Sequence, residues 1–407
     1  MSPARATLIG LILMGLASPA IAASGPTPPS ADPFYRPPPS LRSDRPGAIL
    51  RWRRVTLSPS DDLAAATAFQ LLYRTTSATG GPIATVTTLL LPSAPAPGPR
   101  RLLSYQTAED SLTTRCAPSY TMRGGHNGGS TQWAESQEVT NGLARGWDVV
   151  VPDYQGPRSE WAVGAIEGRT TLDSIRAMEH FRPAHLAGTQ TAVGMIGYSG
   201  GSIPTLWANM LARRYAPRIH LVGAASGGNV PNPIENLGHV NGGPFAGTII
   251  GVSVAINRAY PQLRLNALLN AQGRALAAKD GSDASGCAGS VTNAPGGTVG
   301  DYSHYSTPQA LEAVPRVRRV FKKLDLIGRP VPEAPSYLYQ EIHDELAIIK
   351  PVDQLVAADC QRGAKIDYHR NPAGEHLTGA GAYVVPAFQY LAARFAGKPA
   401  LDTCPHR

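Results

Sequence analysis

A single G-x-S-x-G pattern, Gly197–Gly201, contains the residue of this chain best suited to nucleophilic chemistry. The apolar run Val193–Ile196 leads into the pattern, and a helix with Pro204 in its first turn follows it. This strand–turn–helix setting is typical of a nucleophile elbow, which would present the Ser199 hydroxyl at a helix N-terminus. The residues that would shape the turn are Gly197, Tyr198 and Gly201. The alternative interpretation is a tight turn whose serine only caps the helix.

A serine hydroxyl is a poor nucleophile until a base accepts its proton, and a third group must orient that base. In this architecture the acid follows the serine in chain order, just beyond a late strand. The strand-like run Ser336–Ile342 is followed by His343, Asp344 and Glu345. Asp344 is the predicted acid. Glu345 is the alternative, because a shift of one residue in the loop would exchange the two carboxylates.

The base is expected after the next strand, in a loop before the last helix. The strand-like run Lys365–Tyr368 is followed by the loop 374–378 and by a helical pattern over Tyr383–Phe395. His376, in that loop, is therefore the predicted base, and His369 is the alternative because it lies closer to the strand. Each placement is required by the one before it, which favours a catalytic set over three unrelated residues.

An oxyanion hole for acyl transfer requires two backbone N–H donors. One is predicted at Gly200, directly after the nucleophile. The other is expected from the loop that follows the strand-like run Leu102–Tyr105 and ends at Ser111. The glycine-rich run Gly124–Gly129 superficially resembles an HGGG-type oxyanion loop. It lies well past the end of that strand, so we interpret it as a surface loop.

The elements that must position these residues alternate between strand and helix. Three early strand-like runs predict antiparallel strands: Ile49–Leu57, Gln70–Thr76 and Ile83–Leu91. The later strand-like runs are Leu102–Tyr105, Asp148–Val151, Val193–Ile196, Ile219–Val222, Tyr337–Ile342 and Lys365–Tyr368. Helical spacing between them, as in Thr170–Phe181, predicts an α/β fold with a mostly parallel central sheet flanked by helices.

The stretch from about Val230 to Val320 interrupts this alternation. It contains Gly-Gly pairs, prolines and two helix-like runs, Thr248–Tyr260 and Leu263–Leu276, and no convincing series of strands. We therefore expect an insertion packed over one end of the sheet.

The N-terminus has the pattern of an export signal. Arg5 precedes the apolar run Leu8–Leu16, and small residues indicate cleavage near Ala22. Residues 1–22 are predicted to be a removed signal peptide, so the mature protein would be extracellular or periplasmic. No later apolar run is long enough for a transmembrane segment.

Four cysteines behind an export signal favour two disulfides. They are Cys116, Cys287, Cys360 and Cys404. No two of them have zinc-type spacing, which disfavours a metal site. The residues alone allow three disulfide pairings, and four free buried thiols are the remaining alternative.

The formal net charge is +8, and much of it comes from scattered arginines. No basic run is interleaved with aromatic residues, so a nucleic-acid partner is not expected. Weak attraction to anionic lipid surfaces is compatible with this charge.

With these motifs in order, the chain resembles the secretory lipases of the Candida antarctica lipase A-like family, within the α/β-hydrolase superfamily. The residues that carry the resemblance span nearly the whole mature chain: Asp32–Tyr35, Ser104-Tyr105, Glu109–Ser111, Cys116–Tyr120, Pro152–Tyr154, Gly156, Asp173–Ala177, Gly197–Gly201, Asp344-Glu345 and Glu375–Thr378.

The resemblance implies a triad of Ser199, Asp344 and His376, with Asp110 as the second backbone oxyanion donor beside Gly200. It also implies the disulfides Cys116–Cys287 and Cys360–Cys404. The family's helical lid corresponds to residues 230–320, which would separate the first part of the hydrolase core, 23–229, from the second, 321–407. The central part of this insertion resembles the family least, which leaves the acyl-chain preference open.

We therefore predict a secreted serine ester hydrolase, a triacylglycerol lipase that acts through an acyl-enzyme on Ser199. A short-chain carboxylesterase or an acyltransferase would use the same triad, and a serine peptidase or a non-catalytic binding protein is less favoured. No metal or organic cofactor is required. The expected partners are a lipid or small ester substrate and, transiently, a lipid interface. The oligomeric state is left open.

Overall fold

A nine-stranded sheet forms the centre of the protein, in a computed structural model that describes residues 25–58, 66–125, 135–282, 286–287 and 302–405. The predicted signal peptide, residues 1–22, lies outside the described residues. The strands are β1 (Ile49–Val55), β2 (Thr67–Thr76), β3 (Pro82–Leu91), β4 (Arg101–Gln106), β5 (Asp148–Pro152), β6 (Ala192–Tyr198), β7 (Leu221–Gly227), β8 (Ser336–Glu341) and β9 (Ile366–Asn371).

The strand order is β1-β2-β3-β5-β4-β6-β7-β8-β9. The pairs from β1 to β5 are antiparallel, and every pair from β5 through β9 is parallel. The predicted mostly parallel sheet is thereby confirmed, together with its antiparallel start. Parallel strands bring their carboxyl ends to one edge, so the loops after β4, β6, β8 and β9 meet there.

Helices cover both faces of the sheet, as strand–helix alternation predicts. The helices are α1 (Pro118–Thr121), α2 (Ser136–Ala144), α3 (Gly164–His180), α4 (Ser202–Tyr215), α5 (Pro233–Val240), α6 (Gly247–Ala259), α7 (Ala271–Asp280), α8 (Pro308–Glu312), α9 (Pro315–Leu324), α10 (Ile349–Cys360) and α11 (His376–Phe395). Apolar residues of α3 and α4 pack on one face, and those of α2 and α11 pack on the other. Both faces of the central strands are therefore buried, which explains their nearly continuous apolar sequences.

One strand differs from its predicted bounds. Hydropathy predicts Ile219–Val222, but β7 runs from Leu221 to Gly227 through the small residues of GAASG. A Cβ atom on Gly227 would lie 2.8 Å from the rings of both Tyr198 and Tyr383. Small residues are needed here because two aromatic rings approach the strand backbone, and a hydropathy pattern does not reveal such a contact.

The stretch that interrupts the alternation contains α5 to α8 and most of α9. The helix predicted over Thr248–Tyr260 matches α6. The helix predicted over Leu263–Leu276 is wrong, because Arg264 adopts a φ of 53° and separates two short 3-10 turns, Pro261–Leu263 and Leu265–Ala267, and α7 begins only at Ala271. A left-handed residue ends a helix. Helix α9 continues to Leu324, past residue 320, and the division into core and insertion stays a prediction.

Two disulfides join Cys116 to Cys287 and Cys360 to Cys404, the pairing that the family resemblance implies. The first ties the interrupting stretch to the loop after β4. A backbone hydrogen bond of 2.7 Å from Leu112 N–H to the Gly286 carbonyl supports the same connection. Among the described helices, none is long and apolar enough to cross a membrane.

Several buried carboxyl groups lie beneath the carboxyl edge of the sheet. Burial raises the pKa of Glu109, Glu135 and Glu167 well above the usual range, and neighbouring carboxylates raise each of them further. Burial also raises the pKa of Asp153 to about 7. These groups stay protonated in the folded protein at pH values at which they ionise in the unfolded chain.

Stability should therefore be greatest at acidic pH. Near pH 4 both states retain most of these protons, whereas towards pH 7 only the unfolded chain releases them, which favours unfolding. We expect the thermal unfolding midpoint to fall by several degrees from pH 5 to pH 8. Glu167→Gln, which keeps the shape of the neutral acid, should make that fall smaller. A midpoint that rises with pH over this range would contradict the assignment.

Candidate active site

Ser199 occupies a strained turn between β6 and α4. Its φ is 53°, in the left-handed region that non-glycine residues adopt at a cost of roughly 1–3 kcal/mol. A Cβ atom on Gly197 would lie 2.2 Å from the Gly201 carbonyl oxygen, and one on Gly201 would lie 2.0 Å from the Gln106 carbonyl oxygen. Both positions therefore require glycine, and the turn holds the serine hydroxyl above the sheet edge.

The three residues predicted as a triad meet at this edge. The Ser199 Oγ lies 2.7 Å from His376 Nε2, although the two residues are 177 positions apart in the chain. His376 Nδ1 lies 2.8 Å from Asp344 Oδ2. His376 and Asp344 are both buried. The carboxylate accepts the Nδ1 proton, which leaves Nε2 free to accept the hydroxyl proton of Ser199.

Asp344 is held in place by the loop after β8. Its Oδ1 accepts the backbone N–H groups of Leu346, at 2.9 Å, and Ala347, at 2.6 Å. Its Oδ2 accepts a hydrogen bond of 3.1 Å from the Gln340 side-chain amide. These three hydrogen bonds fix the orientation in which the carboxylate meets the imidazole.

The alternative acid and base have other positions. Glu345 accepts the backbone N–H of His376 at 3.1 Å, so it holds the first residue of α11 instead of the ring. Glu375 caps the same helix by accepting the N–H groups of Leu377 and Thr378. His369 pairs with Asp367 at 2.8 Å, and its side chain is 49% exposed. Neither Glu345 nor His369 replaces its predicted counterpart in the hydrogen-bonded chain.

Tyr198 is a functional neighbour that the sequence did not single out for its side chain. Its hydroxyl donates a hydrogen bond of 2.7 Å to the carbonyl of His376, and its ring packs against the imidazole and Tyr383. The residue before the nucleophile thus helps to place the base. The elbow pattern leaves this position variable, so no sequence signal identifies the contact.

Asp110 and Gly200, the predicted oxyanion donors, lie side by side. A Cβ atom on Gly200 would lie 1.8 Å from Asp110 Oδ1. Asp110 has a φ of 39°, a second left-handed residue at the site. When the oxygen and nitrogen of the Gln155 side-chain amide are exchanged, the oxygen accepts the Asp110 N–H at 3.2 Å and the nitrogen donates to the Ser111 carbonyl at 2.8 Å.

The Asp110 carboxyl group is itself perturbed. Burial raises its pKa to about 6, against the opposing influence of His376 and of a hydrogen bond from Trp161. Its Oδ1 is buried and accepts no hydrogen bond within the described part of the chain. A carboxyl group that changes charge near pH 6 therefore lies directly against the residue that follows Ser199.

An apolar cavity of about 70 Å³ opens beside Ser199. Its polar lining residues are Asp110, Ser199, Asn236 and Thr248, and the remainder are mostly apolar residues, many of them from α5 and α6. A second apolar cavity, of about 40 Å³, lies between α6 and α9. Leu237 lines both, so this one side chain stands between the two spaces.

Two other sequence expectations concern this region. The glycine-rich run Gly124–Gly129 is described only as far as Gly125, which packs against the Tyr120 ring; its remainder lies outside the described residues. Within the described ranges, no group of three or more His, Cys, Asp or Glu side chains is arranged to hold a metal ion.

The chain is similar to known proteins over most of its length. The profile of the family described as "Secretory lipase" matches residues 123–403. The chain is 36% identical to a protein of Mycobacterium tuberculosis described as a probable inactive lipase, over 92% of this chain and 84% of that protein. It is 34% identical to Lipase A of Arthroderma benhamiae, over 88% of this chain and 79% of that protein.

Among solved structures, Candida antarctica lipase A superposes with a TM-score of 0.87 at 28% identity, covering 94% of this chain and 89% of that one. One of these relatives is described as probably inactive, so activity is tested on this chain's own Ser199.

A fluorophosphonate probe should modify Ser199, because His376 Nε2 is placed to accept the hydroxyl proton as the phosphorus is attacked. Mass spectrometry of the labelled peptide would locate the adduct. We expect His376→Ala to slow labelling by roughly 10²–10⁴-fold. His369→Ala is the matched control and should label at the wild-type rate. Labelling at another residue, or labelling that is insensitive to His376, would refute the proposed pairing.

Proposed function

The chain belongs to the secretory lipase family, and we propose that it is a secreted serine hydrolase that cleaves the long-chain carboxylic esters of triacylglycerols. The observation that carries the proposal is the hydrogen-bonded chain from Ser199 through His376 to Asp344, which opens onto an apolar cavity. Residues 1–22, with the pattern of an export signal, support the proposed secretion.

In the proposed first step, the Ser199 hydroxyl attacks the ester carbonyl while His376 Nε2 takes its proton. The resulting tetrahedral intermediate collapses, and the imidazolium gives the proton to the departing alkoxide. The C–O bond to the alcohol breaks as the serine ester forms. Asp344 keeps Nδ1 protonated and stabilises the transient positive charge on the ring, so the base stays in the required tautomer.

The oxyanion that develops on the carbonyl oxygen needs preorganised donors. We assign them to the backbone N–H groups of Gly200 and Asp110. The Asp110 N–H also faces the Gln155 amide, so the oxyanion would share or replace that contact. A neutral Asp110 carboxyl group, below about pH 6, could add a further donor beside Gly200.

Water completes the proposed cycle. His376 accepts a proton from a water molecule that attacks the acyl-enzyme, and the same proton then returns to Ser199 as the fatty acid departs. An alcohol in place of water would make the same enzyme an acyltransferase, so the acceptor distinguishes these two activities and the triad does not.

We propose that residues 230–320 form a lid over the acyl site. Helices α5 and α6 contribute much of the cavity lining, including Leu237, Val240 and Val252. An apolar wall favours an alkyl chain over a peptide, whose backbone polar groups would be left without partners. This favours ester hydrolysis over peptidase activity. Whether the acyl chain extends beyond Leu237 separates a lipase from a short-chain carboxylesterase.

Hydrolysis of p-nitrophenyl esters from two to sixteen carbons tests this function. We expect turnover of long-chain esters by the wild type and none by Ser199→Ala. Leu237→Ala should join the two cavities and raise the ratio of sixteen-carbon to four-carbon hydrolysis, on the order of tenfold. Leu237→Trp should lower that ratio, because the indole would close the passage.

Leu186→Ala, at a half-buried leucine that packs against a core cluster whose buried residues line neither cavity, is the matched control and should leave the ratio unchanged. Turnover of two- and four-carbon esters alone would identify a short-chain carboxylesterase. Cleavage of a peptide amide with no ester hydrolysis would refute the proposal.

The Asp110 carboxyl group should give kcat/KM a pH dependence that the variant Asp110→Asn lacks. It is neutral below about pH 6 and negative above it, where it would repel the oxyanion at Gly200. The ratio of kcat/KM of the wild type to that of Asp110→Asn should fall roughly tenfold or more between pH 5 and pH 7.5. Taking the ratio removes the titration of groups that both proteins share.

Asp280→Asn supplies the control, because burial raises the pKa of Asp280 to about 6 as well, yet Asp280 does not line the cavity. The corresponding ratio for Asp280 should stay flat across this range. A flat ratio for Asp110 would show that its charge does not reach the reacting atoms.

A further inference from the structure

Helix α9, Pro315–Leu324, concentrates positive charge on one short element. Five of its residues are basic and none is acidic: Arg316, Arg318, Arg319, Lys322 and Lys323. Over residues 312–329 there are six basic side chains and two acidic ones, Glu312 and Asp325. This short segment therefore accounts for half of the formal net charge of +8.

The helix separates its charged and apolar residues onto two faces. Val317, Val320 and Leu324 are buried. The side chains of Arg318, Arg319, Lys322 and Lys323 are exposed. At about 100° per residue these four positions span roughly 140° of the helix circumference, so they form one continuous face. We call these four residues the basic face of α9.

The fold does not account for this charge. No ion pair joins the basic face to a carboxylate in the described parts of the chain, and the Lys323 ammonium lies 4.9 Å from the centre of the Tyr260 ring. Lys322 and Lys323, in the last turn, suit the helix dipole. Arg318 and Arg319 lie a turn earlier, and each faces a lysine four residues on, which destabilises the helix by repulsion between like charges.

The location of α9 connects this face to the proposed acyl site. On its other side, Val317 and Phe321 line the second apolar cavity, which shares Leu237 with the cavity beside Ser199. Helix α9 also packs against α5, which lines the first cavity. A surface bound to the basic face would therefore lie one helix away from the space proposed for the acyl chain.

We propose that the basic face of α9 docks the protein on anionic lipid surfaces. Exposed Lys and Arg side chains are attracted to the negative potential of headgroup phosphates, and several such residues on one face add their contributions. None of the four residues of the basic face is aromatic, so the face itself supplies no ring to stack on bases, which disfavours a nucleic acid as the occupant. Docking would be electrostatic, reversible and sensitive to salt. The inference rests on the proposed lipase function, because docking would bring the enzyme to its lipid substrate. Binding to a lipid surface itself requires no ester hydrolysis.

Co-sedimentation with vesicles tests the proposal. Mature Ser199→Ala protein, residues 23–407, which should leave the lipid intact, is mixed with phosphatidylcholine vesicles that contain either 30% phosphatidylglycerol or none. We expect binding only to the anionic vesicles, and a loss of binding in high salt. Replacing all four basic-face residues with Gln should weaken the apparent affinity on the order of 100-fold.

The matched control replaces four exposed basic residues elsewhere with Gln, which lowers the net charge equally: Arg42, Arg214, Lys365 and Lys398. This variant should retain most of the vesicle binding. Circular dichroism and hydrolysis of soluble p-nitrophenyl butyrate, in a Ser199 background, would show that both variants fold and catalyse normally. An equal loss of binding in both variants would overturn the proposal, because net charge alone would then explain it.

Three other outcomes would also overturn the docking surface: no binding to anionic vesicles, equal binding to neutral ones, or tighter binding to duplex DNA than to vesicles that depends on the same residues. A failure of ester hydrolysis with intact vesicle binding would instead refute the proposed function and leave the docking surface standing.

Discussion

The 2.7 Å hydrogen bond between Ser199 Oγ and His376 Nε2 sets the constraint on which the rest of the structure depends. Ser199 lies in the turn after β6, and His376 is the first residue of α11, after the loop that follows β9; β7 and β8 lie between these two strands in the sheet. Only a sheet whose strands run parallel brings those loops to the same edge. The parallel half of the sheet therefore serves as a template whose strand order determines which side chains meet.

Placing the loops at one edge is not sufficient, because a hydrogen-bonded chain requires an accuracy of tenths of an ångström. Contacts around His376 supply it. Asp344 orients the ring, Glu345 holds the first N–H of α11, and Tyr198 donates to the His376 carbonyl. The imidazole is thus fixed through its ring and through the backbone N–H and carbonyl of its own residue, so its position follows from packing and hydrogen bonds together.

The sequence was sufficient to predict the sheet and to select Ser199, Asp344 and His376 as residues that the fold brings together, because strand positions follow from local periodicity and from chain order. It did not predict the contacts of Tyr198, Glu345 or Gln155, which join residues far apart in the chain and have no local pattern. The helix break at Arg264 and the small residues of β7 were missed for a related reason. Each depends on tertiary contacts or on a backbone conformation that hydropathy does not encode.

The strain at Ser199 bears on whether the chemistry is retained in this chain, since the family includes a relative described as probably inactive. A left-handed φ at a non-glycine residue destabilises the fold, and the two glycines that permit the turn add conformational freedom to the unfolded state. A glycine at 199 would relieve the strain without disturbing Gly197 or Gly201. Position 199 nevertheless carries a serine, and the strained turn holds its hydroxyl 2.7 Å from the imidazole. Arg264 has the same φ of 53° at a break between two short turns, so it is the placement of the Ser199 hydroxyl at the imidazole, together with the strain, that supports the proposed catalysis.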